Sequence, residues 1–86
     1  MPRTVQRGYT LRIQASASFR LRWTRNEWRT TEFTRSTPTA LAIEFADIPI
    51  PDSQLAPIRF TFHWLDADVW EGHDYEVEVV DFHAVA

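Results

Sequence analysis

The sequence predicts an all-β domain whose two antiparallel sheets pack face to face. Apolar residues recur with a period of two almost throughout, and no stretch holds the 3.6-residue period of an amphipathic helix. Polar or proline-bearing breaks divide the chain at intervals of roughly 8–12 residues, the rhythm of a sandwich.

The strands follow in chain order. Tyr9, Leu11 and Ile13 alternate with Thr10, Arg12 and Gln14. Phe19, Leu21 and Trp23 alternate with Arg20, Arg22 and Thr24, the cleanest half-buried strand in the sequence. Arg25, Asn26 and Glu27 then form a hairpin turn, with Asn26 the residue best suited to a left-handed backbone. A third strand, rich in Thr and aromatics, is expected over residues 28–34. Residues 35–38 read as a loop, after which Leu41, Ile43 and Phe45 alternate inward. Residues 47–57 carry Pro49, Pro51 and Pro57 and are expected as a surface connection, because proline cannot donate to a ladder. Ile58, Phe60, Phe62 and Trp64 make the strongest inward face, with Arg59, Thr61 and His63 opposite. Residues 65–73 are a loop carrying Trp70. Tyr75, Val77 and Val79 close the pattern, and Val80 with Phe82 in the other phase marks a bulge or a strand end. The fold class is an immunoglobulin-like, two-sheet antiparallel β-sandwich of about six or seven strands, occupying residues 1–86 as one domain. A small barrel is the other closure this pattern allows.

Composition narrows what such a domain can do. With 86 residues and no cysteine, stability must come from packing. Four Trp, six Phe and two Tyr supply the bulk, each able to bury roughly 150–250 Å². No apolar run reaches the ~20 residues of a membrane-spanning helix, and the N-terminal residues lack a signal-peptide segment, so a soluble chain with no membrane partner is expected. The net charge of −3 hides a polarity: residues 1–43 hold eight Arg against Glu27 and Glu32, whereas residues 44–86 hold Arg59 against ten acids. Basic and acidic strands pairing across a sheet account for it. The alternative is an anionic partner for the basic half.

Most chemistry is excluded by spacing. His63, His73 and His83 lie ten apart and match no common zinc pattern. Asp66, Asp68 and Glu71 do not keep the glycine and glutamate positions of a calcium-binding loop. No Gly-x-Ser-x-Gly elbow is present, and acidic pairs such as Asp68 with Glu71 or Asp74 lack the deep cleft that glycoside hydrolysis needs. Neither enzymatic activity, nor a cofactor, nor a metal is expected. Arg12, Arg20, Arg22 and Arg29 would face outward on neighbouring strands, yet no Phe or Tyr platform interleaves them and the pI is near 5.5, so nucleic acid is not the expected partner.

The aromatic residues carry the remaining signal. Trp23, Trp64 and Tyr75 continue strands in their buried phase and read as core. Trp28 follows a turn, and Trp70 lies in a loop between Asp68 and Glu71. Each either caps an end of the sandwich or offers its ring to the apolar face of a pyranose, with neighbouring polar groups bonding the hydroxyls.

The run Phe19-Arg20-Leu21-Arg22-Trp23-Thr24-Arg25-Asn26-Glu27-Trp28 resembles the strand–turn–Trp segment of small sandwich domains in bacterial glucoamylase- and glucodextranase-type enzymes. Phe60-Thr61-Phe62-His63-Trp64, followed by Trp70-Glu71-Gly72-His73-Asp74-Tyr75-Glu76-Val77, is similar to the ending of the same domains and to bacterial starch-binding modules. The sequence departs from the starch-binding pattern in holding Asn26-Glu27 and Glu71-Gly72 where those modules often have Asp-Gly and Asn-Asn. The resemblance implies a non-catalytic accessory module for an α-glucan oligosaccharide or polysaccharide, partnered by a separate glycoside hydrolase catalytic domain. The carbohydrate-binding residues expected are Trp70 and Trp28 for stacking, Glu71, His73 and Asp74 for hydrogen bonds, and Arg25 and Asn26 reaching in from the hairpin. The rival expectation is a structural or protein-interaction domain that docks through the Arg-rich face of Arg12, Arg20 and Arg22.

Overall fold

A computed structural model describes residues 3–81, so the expectations for Phe82 and His83 fall outside the described residues. Among the described residues there is no helix, and nine strands form two sheets. They are β1 (Thr4–Gln6), β2 (Thr10–Ala15), β3 (Phe19–Thr24), β4 (Glu32–Arg35), β5 (Thr37–Pro38), β6 (Glu44–Pro49), β7 (Ile58–Trp64), β8 (Val69–Trp70) and β9 (Tyr75–Val80). The larger sheet has the order β1-β9-β7-β3-β4, with β8 paired to the end of β7 beyond β9; the smaller has the order β2-β6-β5. β1 runs parallel to β9, and every other pair is antiparallel.

Alternation places one core between the sheets. Leu11 and Ile13 of β2 and Ala46 and Ile48 of β6 line one side. Phe19, Leu21, Trp23, Ile58, Phe60, Phe62 and Val77 line the other. Phe19 meets Phe62 edge-on at 5.2 Å between centroids, and Phe62 stacks on the half-buried Trp64 at 4.7 Å. Such pairs add about 0.5–1.5 kcal/mol each beyond the area they bury. The Trp23 indole, 4% exposed, donates its Nε1–H to Thr34 Oγ1 at 3.0 Å, so even the largest core ring leaves no polar atom stranded.

Several segments differ from expectation. The third strand is Glu32–Arg35 rather than residues 28–34, because residues 25–31 are spent on a wide turn. Leu41, Ile43 and Phe45 do not face the core. Leu41 is 80% exposed, and Ala46 and Ile48 point inward instead, one register step away. Pairing Leu11 with Ile48 and Ile13 with Ala46 sets that phase, and a single-residue slip reverses every side chain. Phe45 is left on the outer side, beneath the Arg12 guanidinium at 4.1 Å. Residues 47–49 continue β6 rather than leaving the sheet, and Ile50 beyond them is buried. Pro49 is the last residue of β6, past the reach of β5, so its missing N–H breaks no rung on that side. Tyr9 precedes its strand and is exposed. Residues 37–38 and 69–70, expected as loop, are the short strands β5 and β8. Val80 ends β9 with no bulge in its register against β1.

Charge pairing across each sheet absorbs part of the polarity. Arg12 of β2 forks onto Asp47 of β6 at 2.8 and 2.9 Å. Arg59 of β7 meets Glu76 of β9 at 2.9 Å and Glu27 at 3.1 Å. Arg7 meets Asp81 at 2.9 Å.

Candidate functional site

The outer face of the larger sheet follows from the same alternation that builds the core. Residues between inward positions must point outward, and directly paired residues share a side. Trp70 pairs with His63, His63 with Arg20, and Arg20 with Arg35, which gives one row across four strands. The next row is Thr61, Arg22 and Phe33.

Trp70 is held by the short β7–β8 hairpin. Its turn closes with Asp68 N–H on Leu65 C=O at 3.3 Å, and Asp68 takes the left-handed conformation (φ 53°) that Asp tolerates better than most residues. The Trp70 indole is 46% exposed and lies flat on the His63 imidazole, 4.7 Å between centroids and 12° between planes. The imidazole is anchored in turn by His63 Nε2 against Asp68 Oδ1 at 2.7 Å. One face of the indole is therefore backed by the protein, and the opposite face looks outward from a strand.

Trp28 comes to the same side of the sheet by a different device. Both Glu27 and Trp28 are left-handed, with φ of 57° and 66°. Asn26, the residue expected to supply that conformation, instead closes the turn with its side chain. Its Oδ1 accepts from Thr30 N–H at 3.0 Å and its Nδ2 donates to Thr30 Oγ1 at 2.9 Å. The buried Thr24 hydroxyl accepts from the Trp28 N–H at 3.1 Å. A bulky residue in this region costs on the order of 1–3 kcal/mol, and the hydrogen bonds of the turn hold it there. The ring is half-buried, with the Arg22 guanidinium over it at 4.9 Å.

The remaining expected residues lie elsewhere. Glu71 Oε2 accepts from Tyr75 O–H at 3.1 Å, and the His73 ring packs against Tyr75 at 4.4 Å, so both gather around a residue whose ring stacks on core Phe60. Burial first, and then the Glu71 carboxylate, push the Tyr75 phenol above its ordinary range. Asp74 is exposed beside them. Arg25 pairs with Glu32 at 3.3 Å and lies over the Trp23 ring at 4.9 Å. The fold thus brings Trp70 and Trp28 onto one face, keeps Glu71, His73 and Asp74 at the β8–β9 connection, and uses Arg25 and Asn26 to tie a turn.

Two features were not foreseen. Phe33, 54% exposed, lies outward with Arg20 over its ring at 4.9 Å, so an aromatic platform does interleave the arginines of this sheet. Nothing in the local sequence signals it: Phe33 points outward because it lies opposite Arg22, while Thr34 lies opposite the buried Leu21. Arg12, grouped by sequence with Arg20 and Arg22, belongs to the other sheet and faces away from them.

Comparison of the chain with known protein families, characterised proteins and solved structures found no match.

Proposed function

We propose that the chain is a non-catalytic carbohydrate-binding module, of the kind that engages an α-glucan, and that it binds on the outer face of its larger sheet. The observation that carries this reading is Trp70: an indole nearly half exposed, fixed on a strand, backed by imidazole and open on its other face. A rigid flat apolar surface suits the apolar side of a pyranose, and little conformational entropy is lost in using it. Trp28, whose ring lies against the outward Arg22 guanidinium at 4.9 Å, offers a second contact on the same side. The residues between them, Arg20, Arg22 and His63, are hydrogen-bonding groups for hydroxyls.

The finer fold assignment belongs to the same proposal. An immunoglobulin-like sandwich is supported by the order β1-β9-β7-β3-β4 against β2-β6-β5, with the first strand parallel to the last. Such a module acts beside a separate glycoside hydrolase catalytic domain, as the resemblance of residues 19–28 and 60–77 implies.

Binding is expected to be weak, with Kd on the order of 10 μM to 1 mM, because a shallow wet face gains little beyond ring stacking. Titration of maltoheptaose followed by tryptophan fluorescence tests it. A saturable change lost in Trp70→Ala is the expected result, and no change at millimolar sugar overturns it. A second reading, docking on an acidic protein surface, is favoured by one observation: Arg20 and Arg22 have no carboxylate partner among the described residues.

A further inference from the structure

We infer that the sugar chain taken by this face carries negatively charged substituents, with Trp70 stacking on a ring and Arg20 and Arg22 pairing with its anionic groups. The inference rests on the carbohydrate-binding reading and specifies its ligand.

Arginine pairing elsewhere in the fold sets the contrast. Arg7, Arg12, Arg25 and Arg59 each meet a carboxylate. Among the described residues Arg20 and Arg22 do not, and neither do Arg3, Arg29 and Arg35; of these, Arg20, Arg22 and Arg35 gather on paired strands of the outer face. Arg20 is moreover placed directly across the ladder from Arg35, a like-charge pairing that disfavours the sheet unless an anion screens it. The Nε of Arg20 is buried without an acceptor among the described residues, so no protein group fixes its fork. Asp68, beside this row, is already engaged with His63.

The aromatic rings explain why the guanidiniums are presented rather than lost to solvent. Arg20 lies over Phe33 and Arg22 over Trp28, each at 4.9 Å. A guanidinium over a ring can still turn its two terminal Nη groups to a carboxylate or phosphate through parallel hydrogen bonds, the edge left to Arg20 with its Nε buried. Arg20 and Arg22 alternate along β3, about 7 Å apart, and Trp70 lies about 10 Å from Arg20 across β7. The face therefore offers one stacking surface and two anion forks within the span of a few sugar units.

A single-stranded nucleic acid is the competing polyanion. It would stack successive bases on rings, and although Phe33 is more exposed than Trp70, the Arg20 and Arg22 guanidiniums lie over one face of Phe33 and of Trp28 and compete for those stacks.

The test compares three ligands: maltoheptaose, the same oligosaccharide with its primary alcohols oxidised to carboxylates, and a short oligothymidylate. Binding is measured by calorimetry at about 10 mM and about 1 M salt, where the Debye length falls from roughly 30 to 3 Å. The carboxylated chain is expected to bind about tenfold more tightly than maltoheptaose at low salt, with the preference vanishing at high salt. The preference is also expected to vanish in Arg20→Gln/Arg22→Gln, and to shrink in Arg22→Gln alone, which alters only an exposed side chain. Equal, salt-independent binding of the two sugars overturns this inference and leaves the carbohydrate reading standing. Binding of neither sugar overturns both. Oligothymidylate binding more tightly than either sugar overturns both in favour of nucleic acid.

Discussion

Individual side chains divide cleanly into those that hold the fold and those that face outward. Leu21 is fully buried between the sheets, so Leu21→Ala removes packed atoms and leaves a cavity. A loss of about 2–5 kcal/mol in chemical denaturation is expected. Trp70 is the opposite case. Its truncation exposes the face of the His63 ring but opens no cavity in the core, so Trp70→Ala should cost less than about 1.5 kcal/mol on the same measurement while removing sugar binding. Gly8 is fixed by its backbone: at φ 82° it takes the left-handed region, and a β-carbon would lie 2.8 Å from Asp52 Oδ1. Gly8→Ala should destabilise by about 1 kcal/mol from conformation alone, as a lowered denaturation midpoint.

At the scale of elements, a carboxylate joins the two sheets. Glu44 of β6 accepts hydrogen bonds from Ser18, just before β3, and from Ser36 at 2.6 Å, between β4 and β5. Ser36 in turn accepts from the Phe19 N–H at 3.0 Å. The Ser18 hydroxyl first, and then the Ser36 hydroxyl, hold the Glu44 carboxyl below its ordinary range. A folded-state pKa below the unfolded one contributes stability at pH values above the unfolded pKa, and this is lost as pH falls through the folded pKa. The wild type should therefore lose stability on acidification more steeply than Glu44→Gln, in midpoints measured from pH 7 down through the carboxylate range. Asp47, held low by the Arg12 hydrogen bonds, acts in the same direction between β2 and β6 and remains in both proteins.

The elements also show what sequence could and could not convey. β3 and β7 were legible because six or seven residues alternate between large apolar and polar types, and each long strand repeats the signal. β5 and β8 have two residues each, too few to establish a period. The phase of β6 is not legible locally, because Leu41, Ile43 and Phe45 alternate as well as Ala46, Ile48 and Ile50, and only pairing with β2 decides between them. The outward indole at position 70 was foreseen from its acidic neighbours, whereas the Phe33 platform was not. A partner strand, rather than local sequence, sets which way Phe33 points.

The whole molecule joins a conventional packed interior to an outer face that interior packing does not explain. The turn that presents Trp28 carries two successive left-handed residues, Glu27 and Trp28, a cost the fold bears beside the proposed binding face. Trp28→Gly relieves the backbone strain at that position while losing a half-buried ring. Its stability should stay within about 1 kcal/mol of wild type, while sugar affinity falls. A midpoint far below that range would place the ring in the core instead.

The central claim is that sugar meets the outer face of the larger sheet through Trp70 and Trp28 while the interior stays sealed. The most direct measurement follows the indole Nε1–H resonances during titration with maltoheptaose. The signals of Trp70 and Trp28 are predicted to move progressively, and that of Trp23, bonded to Thr34 inside the fold, to stay fixed. An unmoved Trp70 resonance at millimolar sugar, or a shift confined to Trp23, would contradict the account.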